Sequence, residues 1–541
     1  MKTVKQLIEG LEIAGATGDL DVPVSSVCYD SRQAGKGSLF VCIRGTHADG
    51  HDFIDDAVSR GAVAIVAQAG IPAGPSTGFV RVRDPRAALA AISANYYDHP
   101  AAGLDLVGIT GTNGKTTTSL LIESILRCNG SNPGVLGTLA YRWGGNDIPS
   151  PMTTPESLDL QRIFSSMLGA GVTHVVMEVS SHALALGRIA GCTFRTGVFT
   201  NLSQDHLDFH TTMEQYFAAK RLLFSSHLDP RFSSAVINED DDYGRRIIEN
   251  GASAAKIIRY SCRAPSCAER IESGAGCFEN GPNSVFVKEV RFSPGGIAAK
   301  VQTPLGVIRV DSPLMGRLNL YNIVAAVSAA VSLDIAPGAV EEGVRVLSHV
   351  DGRLERAPVP ARSGFQVIVD YAHTPDGMEK ALACLREMTE NRLIAVFGCG
   401  GDRDRGKRPI MGRVGAELAD VVIITSDNPR TERPDDILDE IEEGVKRTGT
   451  SALRPDEGPS ASRGYIREGD RRKAIELALS LARPGDVVFI GGKGHETYQI
   501  VGTRRYSFDD RLVVKEYFEG IEGSIESGTG MCTCMNRRGL A

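Results

Sequence analysis

Two rhythms alternate along this chain. Short, nearly continuous apolar runs give way to stretches in which apolar residues recur at helical spacing, and polar loops separate them. Over residues 1–99, the runs in Val27-Cys28-Tyr29-Asp30-Ser31-Arg32, Leu39-Phe40-Val41-Cys42-Ile43 and Ala62-Val63-Ala64-Ile65-Val66 predict the strands of a small α/β domain. Over 100–349, further strands are expected at Leu104–Ile109, His174–Ser180, Thr196–Leu202 and Ser234–Asn238, in a doubly wound, mostly parallel sheet. Between about 261 and 300 the sequence turns Gly/Ser/Cys-rich and then alternates, which predicts a β-rich excursion of that domain. Over 350–522, four runs each end in a polar loop, at Asp370-Tyr371-Ala372-His373, Gly398-Cys399-Gly400-Gly401-Asp402-Arg403, Asp427-Asn428-Pro429-Arg430 and Gly491-Gly492-Lys493-Gly494-His495-Glu496. In a parallel sheet such loops lie along one edge, where ligands bind. Residues 454–464 read as a surface insertion, and 523–541 as a disordered tail without function.

The strongest local pattern is Val107-Gly108-Ile109-Thr110-Gly111-Thr112-Asn113-Gly114-Lys115-Thr116-Thr117-Thr118, set between a strand-like run and a helix face formed by Leu120, Leu121, Ile122, Ile125 and Leu126. Strand, glycine loop and helix make a phosphate cradle. Glycines let backbone N–H groups approach phosphate oxygens, the helix N-terminus adds its positive end, Lys115 is placed for the outer phosphates and the Thr116 hydroxyl for magnesium. The spacing is shorter than the usual P-loop, because Ile109 stands where the first glycine would be.

Composition narrows the class. The 541 residues exceed what one core supports, so several domains are expected. Net charge is −7 and 23% of residues are charged, which offers no electrostatic footprint for nucleic acid or an anionic membrane. No run approaches the roughly 20 apolar residues of a membrane span, and the N-terminus lacks a signal-like apolar core, so a cytoplasmic protein is expected. Eleven scattered cysteines fit reduced thiols, and Cys532 and Cys534 lack further ligands for a metal.

Three features accompany the phosphate loop. Glu178 ends a predicted strand, where a carboxylate can hold a hard cation beside a triphosphate. His206 follows another strand in a polar loop; alone such a histidine is structural, whereas beside a metal–phosphate site it serves as a ligand. Lys220 lies on a predicted helix among apolar neighbours, where the plain reading is a lysine that reaches out to solvent along the surface. Asp30-Ser31-Arg32, on composition alone, is a polar turn.

From about residue 20 to about 517, these motifs, in this order, resemble the Mur ligases, and within them the members that add a diamino acid to a UDP-muramoyl dipeptide. The resemblance implies an α/β protein of three domains: a small N-terminal domain for the uridine nucleotide (1–99), a central P-loop ATPase domain with a parallel sheet (100–349) and a C-terminal Rossmann-like domain for the amino acid (350–522). It implies that Gly111, Thr112, Asn113, Gly114, Lys115, Thr116 and Thr117 hold ATP, completed by Asn322, Arg353 and Asp370 across a domain boundary. Two magnesium ions would be held through Thr116, Glu178, His206 and Lys220, the last carbamylated by CO2 and thus anionic. Lys115, Glu178, His206 and Lys220 would be the catalytic set. Tyr29, Ser31, Thr46, His47, Ala48, Met152, Thr153, Thr154, Ser180 and Arg188 would bind the UDP-MurNAc-L-Ala-D-Glu substrate. Arg403, Asp427, Asn428, Pro429, Arg430, Gly492 and Glu496 would bind meso-diaminopimelate.

The implied reaction is ATP-driven amide formation in cytoplasmic peptidoglycan precursor synthesis, by a monomer, with neither nucleic acid nor membrane as partner. The D-glutamate γ-carboxylate attacks the γ-phosphate of ATP, and the diaminopimelate amine displaces phosphate from the resulting acyl phosphate. Alternatives are a lysine-adding member and a folylpolyglutamate synthase-like ligase; Asp30-Ser31-Arg32 ahead of Leu39-Phe40-Val41 favours the muramoyl substrate over folate. A P-loop motor would carry Asp-Glu at its strand end, where this chain has Glu178-Val179-Ser180-Ser181-His182. Leu186 and Thr46-His47 depart from the polar residues usual in the family, and the tail has no counterpart.

Overall fold

The computed structural model of the chain describes residues 1–45, 48–69, 77–263, 282–293, 295–454 and 463–526. It comprises two compact units. The first is Met1–Val290, Ala299–Asp311 and Tyr321–Val346; the second is Arg291–Ala298, Ser312–Leu320 and the chain from Leu347 onward.

Two sheets form the first unit. The smaller has five strands in the order Ile13–Thr17, Gly78–Val82, Ala62–Ala67, Ser38–Val41, Ser26–Cys28, parallel except for the first. Its inner strands read as continuous apolar runs because both faces are covered, and Leu39, Val41, Ile65 and Val66 are fully buried. The helix Pro85–Tyr96 packs on this sheet. It begins where Pro85 fixes the first turn and the Asp84 carboxylate accepts the N–H groups of Arg86 and Ala87.

The larger sheet has eleven strands, with the phosphate-loop strand Asp105–Thr110 between His174–Glu178 and Thr196–Phe199. Both neighbours are parallel to it. Glu178 pairs with Ile109 and Phe199 with Thr110, so the three chains leave the sheet level with one another. Beyond Thr196–Phe199 come Ser234–Asn238 and Lys256–Ser261. The expected β-rich excursion follows as Ser284–Ser293, Gly296–Thr303 and Gly306–Ser312, while 264–281 lie outside the described residues.

The second unit carries a six-stranded sheet in the order Glu355–Ala357, Gln366–Asp370, Val487–Gly491, Leu393–Phe397, Val421–Ile424, Gly464–Arg467. The four strands read from apolar runs are adjacent and parallel, so their loops do share one edge. Two expectations need correction. Gly464 opens a strand that is buried against Val421–Ile424, since the turn signal that suggested an insertion ends before it; 455–462 lie outside the described residues. The helix Asp510–Glu526 runs past the expected domain end at 522, and the remainder of the expected tail, with Cys532 and Cys534, lies outside the described residues. That helix is tied to the helix Arg471–Leu481 by an ion pair between Asp510 and Arg471, both fully buried, at 2.7 Å, and Arg471 also donates to the Gly491 carbonyl of the sheet at 3.0 Å. No helix among the described residues is long and apolar enough to cross a membrane, and the described cysteines are all free thiols.

Candidate active site

The phosphate loop is shaped by two glycines and by the strand beside it. Gly111 and Gly114 have φ of +150° and +88°, the region that favours glycine. A Cβ on Gly111 would run into Thr200 Oγ1, and one on Gly114 into Asn322 Oδ1, so neither position has room for a side chain. Asn201 clamps the loop from the neighbouring strand end: its carbonyl accepts from Thr112 N at 2.8 Å, its Oδ1 from Asn113 N at 3.0 Å, and its Nδ2 donates to the Asn113 carbonyl at 3.1 Å. The helix Lys115–Cys128 starts directly after Gly114 without a side-chain cap, which leaves its first N–H groups for an anion. Lys115 folds back over the loop, its Nζ donating to the carbonyls of Gly111 at 3.0 Å and Thr112 at 2.9 Å.

Glu178 lies one strand away and is 1% exposed. Its carboxylate accepts from Thr116 Oγ1 at 3.1 Å, Thr138 N at 2.8 Å and Thr138 Oγ1 at 3.0 Å. All three donors are neutral. Among the described residues no cation pairs with this buried carboxylate, and its partners there are neutral donors. A hydroxyl and a buried carboxylate, both oxygen donors, beside a phosphate cradle suit a hard divalent cation. Thr138 carries no recognisable sequence signal, because it follows a strand that sequence reasoning did not single out.

Lys220 is 1% exposed, which rules out the reading as a lysine reaching into solvent. The helix Met213–Ser226 delivers it under the loop, where its Nζ donates to the Gly111 carbonyl at 2.8 Å and lies 4.6 Å from the centre of the Tyr216 ring. Burial, and then the charge of Lys115, hold its ammonium well below the usual lysine range. Tyr216 also bridges to the loop, with its hydroxyl 3.2 Å from Thr112 Oγ1. His206, with φ of +53°, caps the short helix Leu207–His210. Its ring lies 4.9 Å from that of His182 and 6.0 Å from that of Tyr216, and desolvation pushes its pKa down to about 4, against the opposing pull of Asp205. The neutral form is the one that can ligate a metal. His182 and His210 join this ring cluster and were not foreseen.

Of the residues expected to bind the uridine substrate, Tyr29, Met152, Thr153, Thr154, Ser180 and Arg188 are gathered along one wall of the first unit. Thr154 Oγ1 donates to the Glu178 carbonyl at 2.8 Å and accepts from Ser180 N at 3.0 Å, while Thr153 Oγ1 is 3.1 Å from Thr138 Oγ1. Arg188 donates to the Thr154 carbonyl at 3.2 Å, lies 3.4 Å from the Met152 sulfur and is ion-paired with buried Glu156, which also holds Arg86 at 2.8 Å. Tyr29 reaches the same wall through Asp159, at 2.7 Å. Asp30-Ser31-Arg32 is a turn in which Asp30 accepts from Arg32, and Ser31 is buried within it. Ala48 directly precedes the bridge residue Asp49 and its carbonyl accepts from Gly45 N at 2.8 Å, Leu186 is half-buried after the helix Ser181–Ala185, and Thr46 and His47 lie outside the described residues.

The second unit holds the remaining candidates. Arg353 lies 4.5 Å above the Tyr371 ring, and Asp370 accepts from Leu354 N and Ala372 N. Both therefore belong to the second unit, whereas Asn322 sits against Gly114 in the first. At the loop edge, Asp427, Asn428 and Pro429 are buried. Asn428 Nδ2 donates to Glu496 Oε2 at 3.0 Å, and Gly492, with φ of +111°, would bring a Cβ to within 3.2 Å of Asp427 Oδ2. Arg430, also left-handed with φ of +52°, is pinned by its backbone to Ile500 and Gly502; its Nη1 donates to the Gly401 carbonyl at 2.7 Å, and no carboxylate among the described residues pairs with it. Arg403 is exposed on the adjoining loop and donates to the Asp402 carbonyl. Arg408, unsignalled by the sequence, is fully buried beneath this loop and bonded to Glu432 and Glu440.

Known families match the chain in three segments: the Mur ligase family catalytic domain over residues 23–97, the Mur ligase middle domain over 109–330 and the Mur ligase glutamate ligase domain over 352–494. A relative from Geobacter metallireducens named UDP-N-acetylmuramoyl-L-alanyl-D-glutamate--2,6-diaminopimelate ligase is 44% identical over 93% of this chain and 96% of its own. One of the same name, numbered 1, from Clostridium acetobutylicum is 40% identical over 95% of this chain and 99% of its own. A solved structure bearing the diaminopimelate ligase name superposes with a TM-score of 0.65 at 31% identity, covering 96% of this chain and 99% of that one. The chain belongs to the Mur ligase family.

Proposed function

We propose that this protein is an ATP-dependent ligase that joins meso-2,6-diaminopimelate to the D-glutamate γ-carboxylate of UDP-MurNAc-L-Ala-D-Glu, through an acyl phosphate. The observation that carries the reading is the convergence on one loop of Lys115, Lys220 and the buried carboxylate of Glu178. A carboxylate attacking a phosphate brings two anions together, and fixed positive charge at that point lowers the barrier. Lys115 would exchange its two loop carbonyls for the phosphates of ATP. Thr116, Glu178 and His206 would hold magnesium, which when bound neutralises the transferring phosphate. Lys220 is suited to carbamylation because only a neutral amine attacks CO2, and its burial shifts the balance toward that neutral form. The carbamate would add a further anionic oxygen ligand.

The choice of amino acid is supported by the charges in the second unit. Arg430 offers a guanidinium without a carboxylate partner, and Glu496 and Asp427 offer carboxylates close by. Such an arrangement complements the ammonium and carboxylate of an amino-acid end group, and the planar fork of arginine suits a carboxylate. Phosphate release from ATP tests the proposal. It is expected only when UDP-MurNAc-L-Ala-D-Glu and meso-diaminopimelate are both present. Equal turnover with L-lysine would point to the lysine-adding alternative, and turnover with neither would refute the reading.

A further inference from the structure

At the loop edge of the second unit one cation is entirely enclosed. Lys493 is fully buried: its Nζ donates to Asn428 Oδ1 at 3.0 Å and to the Tyr498 carbonyl at 2.7 Å, and it is ion-paired with the Asp427 carboxylate at 3.2 Å. Glu496 lies 3.8 Å away on its other side. A lysine so enclosed meets the protein's own acceptors and anions, not solvent.

We propose that Lys493 is the positioning residue of the amino-acid pocket: it fixes the amide of Asn428 and cancels one of two neighbouring carboxylate charges, so that the pocket presents a single net negative charge to an incoming ammonium. This rests on the reading of the edge as the amino-acid site. The amide is oriented from both ends. Oδ1 accepts from Lys493 and from Ile500 N at 2.9 Å, which leaves Nδ2 to hold Glu496 Oε2. Without the lysine, Asp427 and Glu496 would face each other in a desolvated space, and one would take up a proton instead of meeting the substrate charged. Burial and the neighbouring Asp427 already raise the pKa of Glu496, in line with a crowded pair of anions. With the lysine present, Asp427 and Glu496 against Lys493 leave one unit of negative charge, and Arg430 supplies the separate positive charge for a carboxylate.

Steady-state kinetics of the full chain distinguish this role from plain structural support. Lys493→Met is expected to raise the KM for meso-diaminopimelate on the order of 30-fold or more, with kcat at saturation within about threefold and with KM for ATP and for the UDP-dipeptide unchanged. A parallel loss for all three substrates, or an unchanged diaminopimelate KM, overturns the inference. If Lys493→Met does not accumulate as folded protein, Lys493→Arg serves instead: it keeps the charge but cannot reproduce the contacts of a compact ammonium, and a diaminopimelate KM raised by less than about threefold would overturn the inference. Glu496→Gln separates the two levels. If it too leaves the diaminopimelate KM unchanged, the amino-acid site itself is misassigned; if it raises that KM while Lys493→Met does not, only the role of Lys493 fails.

Discussion

Lys115 and Lys220 donate to the same oxygen, the Gly111 carbonyl, at 3.0 and 2.8 Å. Burial first, and then the neighbouring Lys115 ammonium, hold the Lys220 amine well below the usual lysine range. Lys220→Ala is therefore expected to lose ligase activity by on the order of 100-fold or more, the scale found for disturbed metal surroundings. Acetate or another short carboxylic acid should restore part of it by standing where the carbamate would. Full activity in the untreated variant would contradict the assignment.

Arg430→Ala should weaken use of meso-diaminopimelate by about 2–5 kcal/mol, the scale for removing one partner of a buried charge pair. L-lysine lacks the far carboxylate, so wild-type protein is expected to prefer diaminopimelate by roughly 10⁴-fold, and the variant to lose most of that preference. Comparing kcat/KM for both amino acids in both proteins measures this. A variant that keeps the wild-type ratio would rule out Arg430 as the discriminating group.

Thr138 supplies two of the three donors to Glu178. Thr138→Val retains the backbone donor and removes the hydroxyl, a loss of about 1.5–3 kcal/mol for a bond to a charged group. The kcat/KM for ATP is expected to fall about tenfold or more, and Thr138→Ser to restore it. A loss in the Ser variant with full activity in the Val variant would show that the methyl group, not the hydroxyl, matters.

His210 is buried, its Nε2 lacks a partner, and desolvation pushes its pKa from 6.5 down to about 4. Above pH 6.5 the imidazole is neutral in both folded and unfolded chains. As the pH falls below that value the unfolded chain takes up a proton that the folded one accepts only near 4, so stability declines across this interval and levels off beneath it. His206 and His495, also held near 4, act in the same direction. Melting temperature should drop between pH 6.5 and 4, less steeply for His210→Phe; identical slopes would acquit His210.

The strands, their parallel order around the phosphate loop and the shared edge of the four second-unit loops were legible, because continuous apolar runs between glycine-bearing turns leave few other readings. Short edge strands such as Glu355–Ala357 and the hairpin of Tyr498–Val501 with Arg504–Ser507 were not, since half of their residues face outward and carry no apolar run. Candidate site residues that belong to the family motifs could be named from their order. Those that act on other residues escaped: Thr138, Asn201 and Lys493 meet their partners through pairings that join distant segments, and such pairings leave no local pattern. Lys220 was misjudged on local grounds because neighbouring helical positions cannot reveal that the loop at Gly111, 109 residues earlier, closes over it.

The position of the strand Asp105–Thr110 inside its sheet has a consequence for synthesis. Both of its neighbours come later in the chain, and the Asn201 clamp on Asn113 spans 88 residues. A nascent chain that has emerged only to Gly171 therefore has the glycine loop and its helix but neither flanking strand, with two open sheet edges on one of its most apolar segments. Contacts of such long range close late and slowly. The nucleotide cradle is consequently complete only once the chain through Asn201 has been made, and until then its strand presents open edges.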